Sequence, residues 1–233
     1  MVLDTIQGMD LSPLAKHSPG LLGFDWTTYL RCSELRIVKT LEALGHGSTR
    51  PCRVLDYGSY FGNFSLALRI AGFEVDAVDA YDRYPVLRPC VELMKVNGIN
   101  VSLIPPDVAT YDAVLLMGVI EHIPGSPKDV LERAVCLLRP GGTLILDTPN
   151  LAYGPKRQLA AEGKPTLTPI QRQFYTAQPF EGHHREYTFD EVAWMVKAVG
   201  VDVTVITGFN YGGAAEEADV DRREIIFVVG RKS

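Results

Sequence analysis

The residues of this sequence best suited to do chemistry are a few aspartates and glycines early in the chain and three histidines later on. Val54-Leu-Asp56-Tyr-Gly58-Ser-Tyr60-Phe-Gly62 is an apolar stretch that breaks into a glycine-bearing turn. Glycine lets backbone approach a ligand closely, and free amides at the start of a following helix favour that ligand's negative end. Asp79 stands 21 positions after Gly58, where the next apolar run ends. A carboxylate there is able to accept both hydroxyls of a ribose, an arrangement shared by nucleoside-binding α/β proteins. His122, His183 and His184 fall in stretches expected to rim the same region. Imidazole exchanges a proton near neutral pH more readily than most side chains, so these three are the candidate catalytic residues. For His122, a structural role in fixing the 118–124 loop competes with that of a base. Adjacent histidines with Glu181 and Glu186 close by form no recognisable ligand set, and no metal is expected.

Strands and helices must alternate to bring these positions together. Strand-like runs cover 53–56, 74–78, about 100–104, 114–117 and 143–147, with helical patterns over 26–44, 63–71, 85–97 and from Ser126-Pro127 to Leu138. Leu30, Val38, Leu41 and Leu44 recur at roughly helical spacing in the first helix, and Gly45 ends it. Thr188 and Glu191 form a capping box for the last helix, with Tyr187 and Val192 placed as its hydrophobic staple. The β-rich runs 201–207 and 224–229 are joined without a helical repeat, so they read as an antiparallel pair added to a parallel sheet. The pattern predicts an α/β three-layer sandwich, with ligands beyond the carboxyl ends of the strands near the switch in strand order.

Composition narrows the function. The chain has 233 residues, 46% hydrophobic and 22% charged, with a net charge of −5. That acidic balance, without a long basic run, argues against nucleic acid as a partner. No run reaches the ~20 apolar residues of a membrane span, and residues 1–23 lack the pattern of a signal peptide. Four cysteines, Cys32, Cys52, Cys90 and Cys136, are scattered singly, as expected of reduced thiols in a cytoplasmic protein. Residues 1–50 read as an N-terminal arm and helix that contribute to a substrate pocket, and 51–233 as the main domain. Within it, 153–182 mixes aromatic residues with Lys156, Arg157 and Arg172 and shows no strong periodicity, which suits a lid or substrate insertion.

Five ordered motifs resemble the class I S-adenosylmethionine-dependent methyltransferases, in particular small-molecule enzymes with type 11 and type 23 domains. Asp56-x-Gly58-x-x-x-Gly62 is similar to their first motif, with Tyr60 where a middle glycine is usual, and Asp79 is similar to their ribose-binding acid. Tyr111 to Pro124, containing Glu121-His122, resembles their fourth strand and the segment after it. Leu138 to Leu146 resembles the helix end and fifth strand, and His183-His-Arg-Glu-Tyr-Thr188 the stretch before the last helix. The resemblance implies a Rossmann-like, seven-stranded, mostly parallel sheet ordered 3-2-1-4-5-7-6 with the last strand antiparallel. It implies S-adenosyl-L-methionine as cofactor, its methionine half lined by Asp56, Gly58, Tyr60 and Gly62, with Met117 and Gly118 along the far side. Asp107 and Val108 would edge the adenine. The function implied is methyl transfer to a small-molecule substrate, oxygen being the first expectation. Nitrogen or carbon acceptors and a non-catalytic cofactor-binding subunit are the alternatives. A nicotinamide-dependent oxidoreductase would need a closer GxGxxG than this sequence holds.

Overall fold

The computed structural model describes residues 26–45, 52–107, 111–167, 170–172, 174, 182–210 and 218–233. The predicted arm over 1–24, Val108, and Tyr175 and Phe180 of the proposed lid lie outside them. The described elements run α1 (Trp26–Leu44), β1 (Arg53–Tyr57), α2 (Asn63–Ile70), β2 (Glu74–Val78), α3 (Arg88–Val96), β3 (Asn100–Ser102) and β4 (Tyr111–Met117). They continue with α4 (Lys128–Leu137), β5 (Leu138–Pro149), α5 (Gly154–Ala161), α6 (Phe189–Ala198), β6 (Val201–Phe209) and β7 (Ile225–Lys232). The seven strands form one sheet ordered β3-β2-β1-β4-β5-β7-β6. β7 lies antiparallel to both β5 and β6, and the other described pairings are parallel.

Successive residues of the central strands point to opposite faces, and helices cover both faces, so these strands are apolar on both faces through their middles. Val54, Ala113, Leu115, Ile145 and Phe227 belong to one core with Ile37 of α1, Leu68 of α2 and Met94 of α3. Leu55, Val114, Leu116, Leu144 and Val228 belong to the other, with Leu131 of α4 and Val192 of α6. The Thr188–Glu191 capping box forms as predicted, and Tyr187 and Val192 are both buried in the second core. A cap of this kind contributes about 1 kcal/mol to holding the end of α6, and with it the 183–187 stretch, in place.

Three elements depart from the sequence reading. α1 has its predicted span, but it buries Ser33, Arg36, Ile37 and Thr40, and Val38 is exposed. This inner face is largely polar, which an apolar repeat does not find. α5 is a helix inside the stretch read as aperiodic; it buries none of its side chains, so no amphipathic stripe marks it. β5 starts at Leu138, five residues before the predicted strand, and its pairing with β4 jumps from Tyr111–Leu138 to Ala113–Thr143. The extra residues are the Arg139-Pro-Gly-Gly142 turn, carried inside the strand as an irregularity.

Candidate functional site

Between β1 and β4 the strand order reverses, and the carboxyl ends of β1, β2, β4 and β5 gather the residues singled out from sequence. After β1 the chain turns through three left-handed residues, Gly58 at φ +88°, Tyr60 at φ +44° and Gly62 at φ +76°. The Gly58 amide donates to the carbonyl of Val78 on β2 (2.8 Å), and the Gly62 amide donates to the carbonyl of Ser59 (2.7 Å). A Cβ on Gly58 would sit 2.4 Å from Cγ2 of Val119, so this glycine is required by packing against the loop after β4 as well as by its φ. Tyr60 adopts the conformation a glycine would, at a cost of about 1–2 kcal/mol. Its amide donates to Asp79 Oδ2 (2.8 Å), and its ring meets Phe61 and Tyr84 edge-on at 4.3 and 5.9 Å between centroids. These contacts hold the turn where the sequence lacks its middle glycine.

Asp79 is thereby fixed at the tip of β2, its Oδ1 accepting from the amide of Ala80 (2.6 Å). A carboxylate offers about four lone-pair sites, and these two amides fill half of them. The remainder suits two vicinal hydroxyls. Burial raises the Asp79 carboxyl above its ordinary range, against the pull of the two amide bonds. Asp56, at the end of β1, is 1% exposed and accepts a hydrogen bond from Ser65 Oγ of α2 (2.6 Å). Burial, with a smaller contribution from the Asp79 charge, pushes it up to about 6. Ser59 and Tyr81 join the two loops through a 2.6 Å hydroxyl–hydroxyl contact. Two acids at adjacent strand ends make a negative region suited to a cationic ligand.

A pH dependence follows for Asp56. Its folded value of about 6 exceeds the ordinary aspartate value of 3.8, so the folded chain binds this proton more tightly. Its contribution to stability is complete below about pH 4 and is lost as pH rises through about 6. Asp56→Asn is therefore expected to flatten the stability profile between pH 4 and 6. At pH 8 it should stabilise the ligand-free protein by on the order of 1–3 kcal/mol. Urea denaturation at pH 5 and 8 measures this, and a variant less stable than wild type at pH 8 would refute it.

Across the switch, Met117 ends β4, and Gly118 (φ +71°) donates its amide to the carbonyl of Asp147 at 3.0 Å. The Asp147 carboxylate is 1% exposed and held by a two-pronged pair with Arg36 of α1, Nε to Oδ2 at 2.6 Å and Nη2 to Oδ1 at 2.7 Å. A single turn of 3-10 helix, Ile120–His122, then carries Glu121 inward and His122 outward. Glu121 is 2% exposed; its Oε2 accepts from Thr148 Oγ1 (3.0 Å), and burial pushes its carboxyl up to about 7. The Glu121 carbonyl accepts the amide of His184 (2.8 Å), which ties the 183–185 stretch to this turn. The His122 and His183 rings meet edge-to-face at 5.0 Å between centroids. His183 Nδ1 lies 2.7 Å from Oε1 of the buried Glu186, whose other oxygen pairs with Lys156 of α5.

The structure thus brings Asp56, Gly58, Tyr60, Gly62 and Asp79 into one turn system, and His122 and His183 into a second group beyond β4. His184 is exposed and contributes its backbone to this group. Asp107 is fully exposed and pairs with Arg133 of α4 at 3.2 Å. Arg36, Glu121, Asp147 and the Lys156–Glu186 pair were not singled out from sequence as parts of the site. Glu121 carried a cue in its place in the Glu-His segment after β4, Glu186 was weighed with the histidines as a metal ligand and set aside, and Lys156 was read within the lid.

Residues 29–205 match the methyltransferase domain family, about three quarters of the chain, and the chain belongs to that family. A ubiquinone biosynthesis O-methyltransferase of Xylella fastidiosa is 29% identical over 177 residues, 68% of this chain and 64% of the relative. The chain thus spans a little under two thirds of that relative's length. A tRNA U34 carboxymethyltransferase of Citrifermentans bemidjiense is 35% identical over 103 residues, covering 41% of this chain and 32% of the relative. Among solved structures, an S-adenosylmethionine-dependent methyltransferase from Mesorhizobium loti shares the fold with a TM-score of 0.60 at 15% identity, covering 86% of this chain and 98% of that one. The 1,6-didemethyltoxoflavin N1-methyltransferase of Burkholderia thailandensis, solved with bound 1,6-didemethyltoxoflavin and S-adenosylhomocysteine, gives a TM-score of 0.57 at 19% identity over 87% and 78% of the two chains.

Proposed function

We propose that this enzyme transfers the methyl group of S-adenosyl-L-methionine to an oxygen of a small-molecule acceptor. The observation that carries the reading is the facing of two groups across one switch point. Asp79 and the Gly58–Gly62 turn lie on one side, and Glu121, His122 and His183 lie on the other. In this reading, the Asp79 carboxylate takes the ribose hydroxyls in its unfilled lone-pair positions. Asp56 and the turn line the methionine half, and Met117 and Gly118 line the far side. Asp107 and Val108 edge the adenine. The cofactor supplies an activated sulfonium methyl, and the protein mainly aligns an acceptor behind it.

An oxygen acceptor must also lose its proton, and the imidazoles beyond β4 stand where it would go. His183 is the better placed, its Nδ1 engaged by Glu186 so that the ring is oriented. α1 closes one wall of the substrate pocket together with the arm before it, and the 153–182 segment covers the acceptor, fastened by Lys156 to Glu186. The net charge of −5 supports a small metabolite over nucleic acid. Cys52, Cys90 and Cys136 are unpaired, and a cytoplasmic location accords with them. Among the described residues, no helix is long and apolar enough to cross a membrane.

Incubation with methyl-labelled cofactor and a panel of phenols, sugar alcohols, amines and carbon acids tests the assignment. Label is expected on hydroxyl oxygen, and His183→Ala should lower turnover while leaving S-adenosylhomocysteine affinity within a few-fold of wild type. Label on amine nitrogen, or full turnover in the variant, would contradict it.

A further inference from the structure

We propose that Glu121, His122 and His183 bind one divalent transition-metal ion, with Zn2+, Fe2+ and Mn2+ as the chemical class. One ligand atom from each residue, a carboxylate oxygen and two ring nitrogens, lies within 4.8 Å of the others. Two imidazoles and a carboxylate are a donor set that suits these ions, and three protein ligands leave positions open for water or an acceptor oxygen.

The surroundings are those of ligands held ready. His183 Nδ1 is engaged by Glu186 at 2.7 Å, the carboxylate–histidine arrangement that fixes a metal-binding imidazole's tautomer and leaves its second nitrogen to the ion. Lys156 lies on the far oxygen of Glu186, so its positive charge pairs with that carboxylate and forms no described ion pair with the three ligands. Glu121 is fixed through one oxygen by Thr148, and its carbonyl holds the His184 amide, which sets the distance between the two ligand-bearing segments. This carboxylate is almost fully buried, and one of its oxygens accepts from Thr148. A buried carboxylate is costly unless cations or hydrogen bonds compensate it, and a bound ion adds such compensation. The sequence weighed His183 and His184 with Glu181 and Glu186; folding groups His183 with Glu121 and His122.

The consequence for turnover rests on the oxygen-acceptor reading, whereas the binding does not. A hydroxyl in an open position of the ion is acidified as metal-bound water is. With His183 engaged as a ligand, the hydroxyl proton leaves to solvent in place of that imidazole, and the oxygen forms the new bond to carbon as the sulfur–carbon pair returns to sulfur.

The test uses the full chain without an affinity tag, stripped of metal by dialysis against chelator, with neither cofactor nor acceptor present. Zn2+ is titrated by calorimetry, and Mn2+ by loss of the free aqua-ion's electron paramagnetic resonance signal. Wild type is expected to take up one ion per chain. Glu186→Gln, which removes the charge of the orienting carboxylate, should weaken binding by roughly 10–100-fold, and His183→Ala and Glu121→Gln should weaken it further. Retained S-adenosylhomocysteine binding checks that each variant is folded, and His183→Ala decides the matter if Glu121→Gln does not fold. Wild-type affinity in folded His183→Ala, or no saturable uptake of either ion by wild type, overturns the inference. Methyl transfer to oxygen by a chain that takes up no ion would overturn it and leave the proposed function standing. Ion uptake without transfer would do the reverse.

Discussion

Asp79→Ala is expected to weaken S-adenosylhomocysteine binding by about 10²–10⁴-fold. Each charge-assisted hydrogen bond to a ribose hydroxyl contributes about 1.5–3 kcal/mol, and a tenfold change in affinity corresponds to about 1.4 kcal/mol. The substitution acts twice, because the carboxylate also accepts the Tyr60 amide and so holds the left-handed turn. Asp79→Asn separates the two effects, since its carbonyl oxygen can still accept from Tyr60 while the charge is lost. It should fall between wild type and Asp79→Ala. Calorimetry on both variants, with adenosine as a second ligand, checks the placement. Adenosine should lose affinity in step with the full ligand, because the loss belongs to the ribose. A change of less than threefold in Asp79→Ala would place the nucleoside elsewhere.

Arg36→Met should have the largest effect on stability, a loss of about 3–5 kcal/mol, because it leaves the Asp147 carboxylate buried without its partner. The pair is 2% and 1% exposed by residue and doubly hydrogen-bonded, so solvent cannot replace the guanidinium. A loss of that size is a large part of the 5–15 kcal/mol typical of a domain. Pairing it with Asp147→Leu removes the orphaned charge and should restore most of the loss, since an apolar pair of similar volume often replaces a buried ion pair at little cost. Urea unfolding of the single and double variants gives both numbers. A single-variant loss below 1 kcal/mol would mean that α1 is not fastened to the sheet through this pair. The pair matters to the site because the Asp147 carbonyl receives the Gly118 amide, so loosening α1 loosens the loop that carries Glu121 and His122.

What could be read from sequence divides along physical lines. β1 was legible because both faces of its middle are buried, and β2 because Val75, Ala77 and Val78 are buried between turns while Glu74 stays exposed. α6 was legible because its cap and staple are local, within a few residues of one another. The span of α1 was visible and its inner face was not: Ser33, Arg36 and Thr40 are buried there, Arg36 against Asp147 far along the chain and Thr40 on the carbonyl of Arg36 within the helix. α5 was invisible for the opposite reason, having no buried face at all.

The site follows the same division. Asp56, Gly58, Gly62 and Asp79 were identified because their spacing carries the turn chemistry itself. Arg36 and Asp147 are 111 residues apart, and neither has a local pattern that announces the other. Glu121 was noticed as a neighbour of His122, but its burial depends on a 3-10 turn that points adjacent residues in opposite directions. Glu186 stood three positions from His183 and was weighed only as a metal ligand, although its structural part is to orient that imidazole.

The central claim is that the ends of β1 and β2 grip an S-adenosyl nucleoside. Titration of the folded wild-type chain with S-adenosylhomocysteine, followed calorimetrically, tests it most directly. One saturable site per chain is expected, with methylthioadenosine, which lacks the amino-acid half, competing for it more weakly. An absence of saturable heat from protein that circular dichroism shows to be folded, or displacement by NAD instead, would contradict the account.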